Sequence, residues 1–392
     1  MGAEASLRVG ADARPITPDL AAGTVYLAGF DVDRPAQAIH DDLMVRTMAL
    51  ASGHGEPVVM TVCDLIGLTR VHGAKGPRVV ACTHTHHGPD MLGFWGKPTE
   101  GVSGIDWGLL DRIRSVVAAS QEAAIESMEP ASLRAASIAV PELVANVRDP
   151  DIVDDELSVI RAYRPDGSVI VTFCAYPCHP EVVASDSTDV TADYAGHLCR
   201  AVESVVGGTA IFAAGALGGM LSPSTEVRTH EEAQRYGAVL ADAAEKALAG
   251  ATEVPDPTVS FARSEVEFPL QNPIYELGIA MELAPPAERR GENAVTEVSV
   301  VKVGPATLAC VPGELFPKLG LRLKESMRAA GAEVPVVVGL ADDELGYILP
   351  EEDFVFPADY LDPGKHYEES FSAGPRLGPL VVEAVEKLVR AW

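Results

Sequence analysis

Chemistry-bearing residues concentrate first at Cys82-Thr83-His84-Thr85-His86-His87-Gly88-Pro89-Asp90, where three of the ten histidines fall within four residues. Imidazole nitrogens that converge on one point can hold a metal ion, or a metal and its substrate. Other candidates are scattered: Asp64, His179, Ser222, Glu314 and Tyr347 each stand just past an apolar run. In sheet-built enzymes, strand ends and the loops beyond them are where sites assemble. Zinc accepts imidazole nitrogen and carboxylate oxygen alike. His84, His179 and Glu314 therefore make a His-His-Glu ligand set that leaves a position for water or substrate.

These residues need elements to carry them. The apolar run at 79–82 predicts a buried strand, stopped by Gly88-Pro89. If that strand continues through His86, its period of two puts His84 and His86 on one face and turns His87 away. Further strands are expected at 58–65, 132–140, 157–163, 168–176, 209–214, 259–270, 298–303, 307–311 and 334–340. Helical spacing marks 107–127, 193–205, 231–249, 317–330 and 379–389. Arg164-Pro165-Asp166-Gly167 is a hairpin turn signal, and the polar stretch 284–293 reads as a mobile loop. Phe94 and Trp95, in a Gly-rich loop, read either as pocket walls or as a loop anchor. Asp64 and Asp193 read either as partners orienting the histidines or as turn and cap residues. His40 and His197 read as structural. Helices interleaved with strands indicate an α/β (mixed α+β) fold, with mixed sheets flanked by helices and a metal site at strand ends.

Composition narrows the function. The 392 residues include 57 acidic against 30 basic side chains, net charge −27. That excess disfavours nucleic acid and anionic membrane surfaces, both of which need clustered Lys and Arg. Apolar residues make up 47% and charged ones 22%, an ordinary globular balance. No run approaches the ~18 apolar residues of a membrane span. The N-terminus shows no signal-peptide pattern. Six cysteines sit mostly in apolar runs, the pattern of buried free thiols in a reducing compartment, so a cytoplasmic location is expected.

Taken together, Thr83-His84-Thr85-His86-His87-Gly88-Pro89, Cys178-His179-Pro180 leading to Ala192-Asp193-Tyr194-Ala195-Gly196, Gly218-Gly219-Met220-Leu221-Ser222-Pro223, and Val311-Pro312-Gly313-Glu314 follow one another as in the neutral (alkaline, non-lysosomal) ceramidase family. Ile16-Thr17-Pro18, His40-Asp41-Asp42-Leu43-Met44-Val45-Arg46, Gly346-Tyr347 and His366-Tyr367-Glu368 fit the same order. The chain resembles that family from about residue 8 to 380, as a bacterial-type member made of the catalytic portion alone. The resemblance implies a zinc ion held by His84, His179, Glu314 and the phenol of Tyr347. It implies His86 as a proton-transfer or oxyanion group, Arg148 as the active-site arginine, Ser222 as the active-site serine and Tyr367 as a second tyrosine.

Three departures stand out. His87 occupies the position of a family serine, and an insertion at 355–365 leaves Tyr360 and Tyr367 both available as the second tyrosine. The chain also ends at Trp392, where ceramidases carry a further β-sandwich domain; one catalytic domain over 1–392 is expected, its best internal boundary at 251–258. The activity expected is zinc-dependent hydrolysis of a carbon–nitrogen amide bond in a soluble small molecule. Ester or lactone hydrolysis on the same scaffold is the alternative, and a non-catalytic metal- and ligand-binding relative is another. Ser222 also reads as a covalent nucleophile, although its surroundings lack the G-x-S-x-G turn.

Overall fold

The computed structural model describes residues 7–70, 76–254 and 257–391. Residues 1–6, 71–75, 255–256 and Trp392 lie outside that set, so two positions of the expected boundary at 251–258 are among them. Three sheets organise the chain. The first runs Arg78–Cys82, Val58–Cys63, Met44–Ser52, Leu7–Pro15 and Glu129–Pro130 in spatial order; the second runs Thr209–Ala214, Val169–Tyr176, Glu156–Tyr163 and Ser132–Ala139. The third runs Val259–Phe268, Asn293–Val303, Ala306–Cys310 and Val334–Val338, with Arg289–Arg290 paired to its second strand. Each sheet is antiparallel except at one edge, where a parallel pair forms: Val58–Cys63 with Arg78–Cys82, Val169–Tyr176 with Thr209–Ala214, Ala306–Cys310 with Val334–Val338.

The continuous apolar character of these strands has a direct cause. Inward residues of all three sheets, including Val62, Val79, Phe173, Ile211, Leu308 and Val336, meet in one shared core. The outward faces are covered by helices, so both faces are buried and the polar alternation of a half-wet strand disappears. Trp107–Glu126 covers the first sheet, Asp193–Val206 and His230–Ala249 the second, and Pro317–Ala329 and Leu377–Arg390 the third. Full burial of a Val, Leu, Ile or Phe side chain contributes ~1.5–3 kcal/mol. The shared core is therefore what holds three separately paired sheets in one body.

Local chemistry sets the ends. Asp106 caps Trp107–Glu126 by accepting from the backbone N–H groups of Gly108 and Leu109, and Thr229 caps His230–Ala249 by accepting from Glu232. The 164–167 turn closes an antiparallel pair as expected, with Gly167 at φ 87° and Asp166 accepting from the Ser168 backbone. Two features go beyond the sequence pattern. The 284–293 stretch is anchored: Arg289–Arg290 pairs with the start of Asn293–Val303, and residues 284–288 wall a cavity. Sequence reading also passed over the helix Pro273–Ala280, capped by Asn272. All six cysteines are buried and free, and no described helix is long and apolar enough to cross a membrane.

The parallel edges converge. Gly339 donates to Ala214 O at 2.9 Å, Cys82 to Leu340 O at 3.2 Å, and Gly215 to Tyr176 O at 3.1 Å. Segments leaving the three edges therefore enter one region, carrying His84, His179, Ser222, Glu314 and Tyr347 with them.

Candidate metal centre and active site

His84 reaches the centre by a route the strand period did not foresee. The strand stops at Cys82, and His84 takes a left-handed backbone at φ 70°. The expected continuation through His86 is thus corrected: His84 and His86 face the same place because the chain turns between Thr83 and His87. His87 points elsewhere, its two ring nitrogens each 3.1 Å from a backbone carbonyl, of Asp189 and of Val183. Thr85, between the two site histidines, pins the turn by donating to Thr191 O at 2.8 Å.

The tautomers follow from the neighbours. His84 Nδ1 is 2.7 Å from Ile66 O, and His179 Nδ1 is 2.9 Å from Leu221 O. A carbonyl only accepts, so each Nδ1 carries a proton, and in the neutral ring each Nε2 presents a lone pair. Those bare Nε2 atoms both face Glu314 Oε2, at 3.5 Å from His84 and 3.1 Å from His179. Two lone pairs and a carboxylate oxygen at this range repel unless a positive charge lies among them, as a proton or a metal cation. His86 completes the group: one ligand atom from each of His84, His86 and His179 lies within 4.8 Å of the others, and all three residues are buried. This donor set fits a borderline metal such as zinc.

Burial and mutual charge shape the protonation states. Burial by itself pushes Glu314 up, but His84 and His179 overcome it and hold the carboxyl well below its usual range. Burial, with His84 and His179 beside it, pushes His86 well below an ordinary imidazole, so it is neutral near pH 7. Its Nδ1 is buried without a hydrogen-bond partner, 3.5 Å from Glu181 Oε2. Glu344 is half-buried, with one buried carboxyl oxygen unpartnered; burial first, then Glu314, pushes its carboxyl well up.

The remaining expected residues divide. Tyr347 is the register partner of Glu314 in a short parallel pair, and its hydroxyl donates to Met220 Sδ at 3.2 Å. Tyr367 lies with its ring 6.1 Å from that of Tyr347. Both tyrosines line a cavity together with His84, His86 and Glu314, whereas Tyr360 is outside its lining. Ser222 and Arg148 are outside it too. Ser222 follows Leu221, whose carbonyl orients His179. Arg148 forks onto Glu369 and Glu368 at 2.8 and 3.0 Å, bracing the short helix Tyr367–Ser370, and its guanidinium sits over Phe316. Asp64 and Asp193 bind backbone N–H groups, of Met44 and of Val183 and Tyr194, rather than any site histidine.

The cavity is walled mainly by apolar side chains: Ile66, Leu92, Phe94, Trp95, Phe268 and Ile279. Trp95 is also an anchor, its indole N–H donating to Phe30 O at 2.9 Å. Sequence reading missed Glu181, Glu344, Gly29 and Phe30. Glu181 follows His179 by two residues, the one local signal available for any of them. Phe30 packs its edge on His86, ring centroids 4.7 Å apart.

The fold and this cluster define a mixed α/β protein with a buried candidate metal centre where three parallel strand edges meet. Among solved structures, the chain is similar to neutral ceramidase from Pseudomonas aeruginosa, with TM-score 0.77 and 18% identity over 99% of this chain and 75% of that one. It is equally similar to a ceramidase complexed with C2, with TM-score 0.77 and 17% identity over 99% of this chain and 76% of that one. The chain has the neutral ceramidase fold, in keeping with the resemblance carried by its motifs. No protein-family model and no curated protein matches the sequence.

Proposed function

We propose that this protein is a zinc-dependent hydrolase that cleaves a carbon–nitrogen amide bond in a small molecule bearing an apolar arm. The observation that carries the reading is the convergence of His84 Nε2 and His179 Nε2 on one oxygen of Glu314, an arrangement that calls for a positive charge among its members and that a bound zinc ion would supply. His84, His179 and Glu314 would hold the ion, with Tyr347 and His86 at its margin. When bound, zinc supplies Lewis acidity and lowers the pKa of water from 15.7 to about 7.

The chain's own groups account for the rest. His86, neutral and facing the cavity, takes a proton at the attacking side and returns it to the departing amine nitrogen. Glu181, 3.5 Å from Nδ1, stabilises the imidazolium that exists between those transfers. Tyr367 offers a hydroxyl to the oxygen that gains charge, a contribution of ~3 kcal/mol for one such donor. Arg148 and Ser222 act by position, the first through the Tyr367–Ser370 helix and the second beside Leu221. The apolar walls take up the acyl or alkyl arm and exclude water.

The test is hydrolysis of paired fluorogenic amides and esters, with acyl arms of increasing length, by zinc-loaded protein. Amide turnover that rises with arm length, stops on chelation and returns with zinc is the expected result. Cleavage of esters alone would move the assignment to ester or lactone chemistry. Stoichiometric zinc with no turnover of either series would make the protein a binding relative.

A further inference from the structure

A second group of imidazoles lies away from the buried centre. His40 follows the short strand Ala38–Ile39, and His197 sits in the first turns of Asp193–Val206. One ligand atom from each of His40, Asp41 and His197 lies within 4.8 Å of the others, with His40 Nε2 at 4.0 Å from Asp41 Oδ2. We propose that His40, Asp41 and His197 form a second, solvent-accessible site for a divalent transition metal of the zinc and nickel class.

Several observations converge on it. His197 Nε2 is buried with no hydrogen-bond partner, which is costly for a ring nitrogen unless something else occupies its lone pair. Asp41 is already oriented: Thr191 donates to Oδ2 at 2.7 Å and the Ala192 N–H to Oδ1 at 3.0 Å. His40 is held by a stacked neighbour, His230, at a ring separation of 3.7 Å and an interplanar angle of 14°. His230 is itself fixed by Asp189, 3.2 Å from its Nε2. The His40 side chain is 37% exposed, which gives an ion a path from solvent.

The charge pattern selects the metal. Among the described residues, Asp41 is the carboxylate that joins the two imidazoles within ligand range, and Arg200 lies 3.5 Å from its other oxygen. Coulomb attraction is therefore too weak to retain magnesium or calcium, which rely on several oxygens. Imidazole nitrogens favour zinc, nickel or copper. Thr191 also ties the two regions together, since its hydroxyl holds Asp41 while its carbonyl accepts from Thr85 between His84 and His86.

The experiment is equilibrium dialysis of the full chain against Zn2+, with bound metal counted by atomic spectroscopy. Two ions per chain are expected for the wild type and one each for His40→Gln, Asp41→Asn and His84→Ala. His40→Gln changes a partly exposed side chain, so its fold is checked simply by circular dichroism in chelator. Excess Mg2+ is expected to leave the count unchanged; displacement by Mg2+ would overturn the metal class. A wild type that binds a single ion, lost in His84→Ala and kept in His40→Gln, would overturn the second site and leave the buried centre standing. The opposite pattern would remove the buried centre and keep this one.

Discussion

Gly29 lies directly against the imidazole of His86: a Cβ at position 29 would stand 2.4 Å from His86 Cγ, and Gly29 has φ +101°. Both the space and the backbone conformation exclude any other residue without movement. Gly29 is therefore part of the mould that sets the ring's position.

Gly29→Ala is expected to displace His86 while leaving His84, His179 and Glu314 in place. A shift near 1 Å at a reacting group costs ~10²-fold in rate. The variant should hold zinc as the wild type does and turn over amide substrate about 100-fold more slowly. Unchanged kcat in a variant shown to fold would remove His86 from the proposed chemistry.

Glu314→Gln tests the centre itself. The amide keeps the shape but removes the charge that offsets a cation between His84 and His179. Loss of an outer partner of a metal ligand typically weakens metal binding ~10–100-fold, and loss of a direct ligand should exceed that. Zinc retention after dialysis is the measurement, and full retention by Glu314→Gln would rule the carboxylate out as a ligand.

Arg148→Ala should cost stability as well as rate. Its guanidinium is the charge partner of Glu368 and Glu369, which are 6% and 0% exposed at the side chain. Leaving a buried carboxylate such as Glu368 unpaired costs ~3 kcal/mol, while Glu369 keeps His366 Nδ1 at 3.3 Å. Denaturant melts measure this, and a double variant with Glu369→Gln should recover part of the loss. Arg148→Lys should restore little, because a single ammonium cannot reproduce the forked contact. If Arg148→Ala melts like the wild type, the bracing role assigned to it is wrong.

Asp342 supplies a pH dependence with a definite sign. Burial, opposed by Arg263, pushes its carboxyl from 3.8 to about 7. The folded state then binds a proton that the unfolded state releases, so this group's stabilisation is full below pH 3.8 and is lost as pH rises through about 7. Asp342→Asn keeps an oxygen for the Val80 N–H, 2.9 Å away, and asparagine tolerates the φ of 64°. The stability of Asp342→Asn relative to wild type should therefore climb between pH 4 and 7 and level off above. Unfolding midpoints across that range decide it, and a flat difference would contradict the assignment.

Much of this protein is written locally. Apolar runs ended by Gly, Pro or a polar residue announce the strands, and 209–214 coincides with Thr209–Ala214. Helical spacing announces Trp107–Glu126 and Asp193–Val206 to within a residue, because burial of one stripe is a periodic, short-range demand. The placement of His84, His179 and Glu314 after such runs was enough to nominate them as one ligand set. The ordered motifs pointed to the ceramidase-like fold that the structure shares.

What sequence could not decide depended on contacts between distant segments. A two-residue period cannot register that the strand ends at Cys82 and that His84 turns left-handed, since the hydrogen bond from its N–H to Leu65 O comes from the neighbouring strand's exit. Nor can it show that Glu181 approaches His86, that Gly29 moulds its ring, or that Arg148 turns to Glu368 and Glu369. Local patterns specify which faces are buried; only the packing of three sheets on one core settles which side chains meet. The site exists at that meeting, where no single segment carries enough information to describe it.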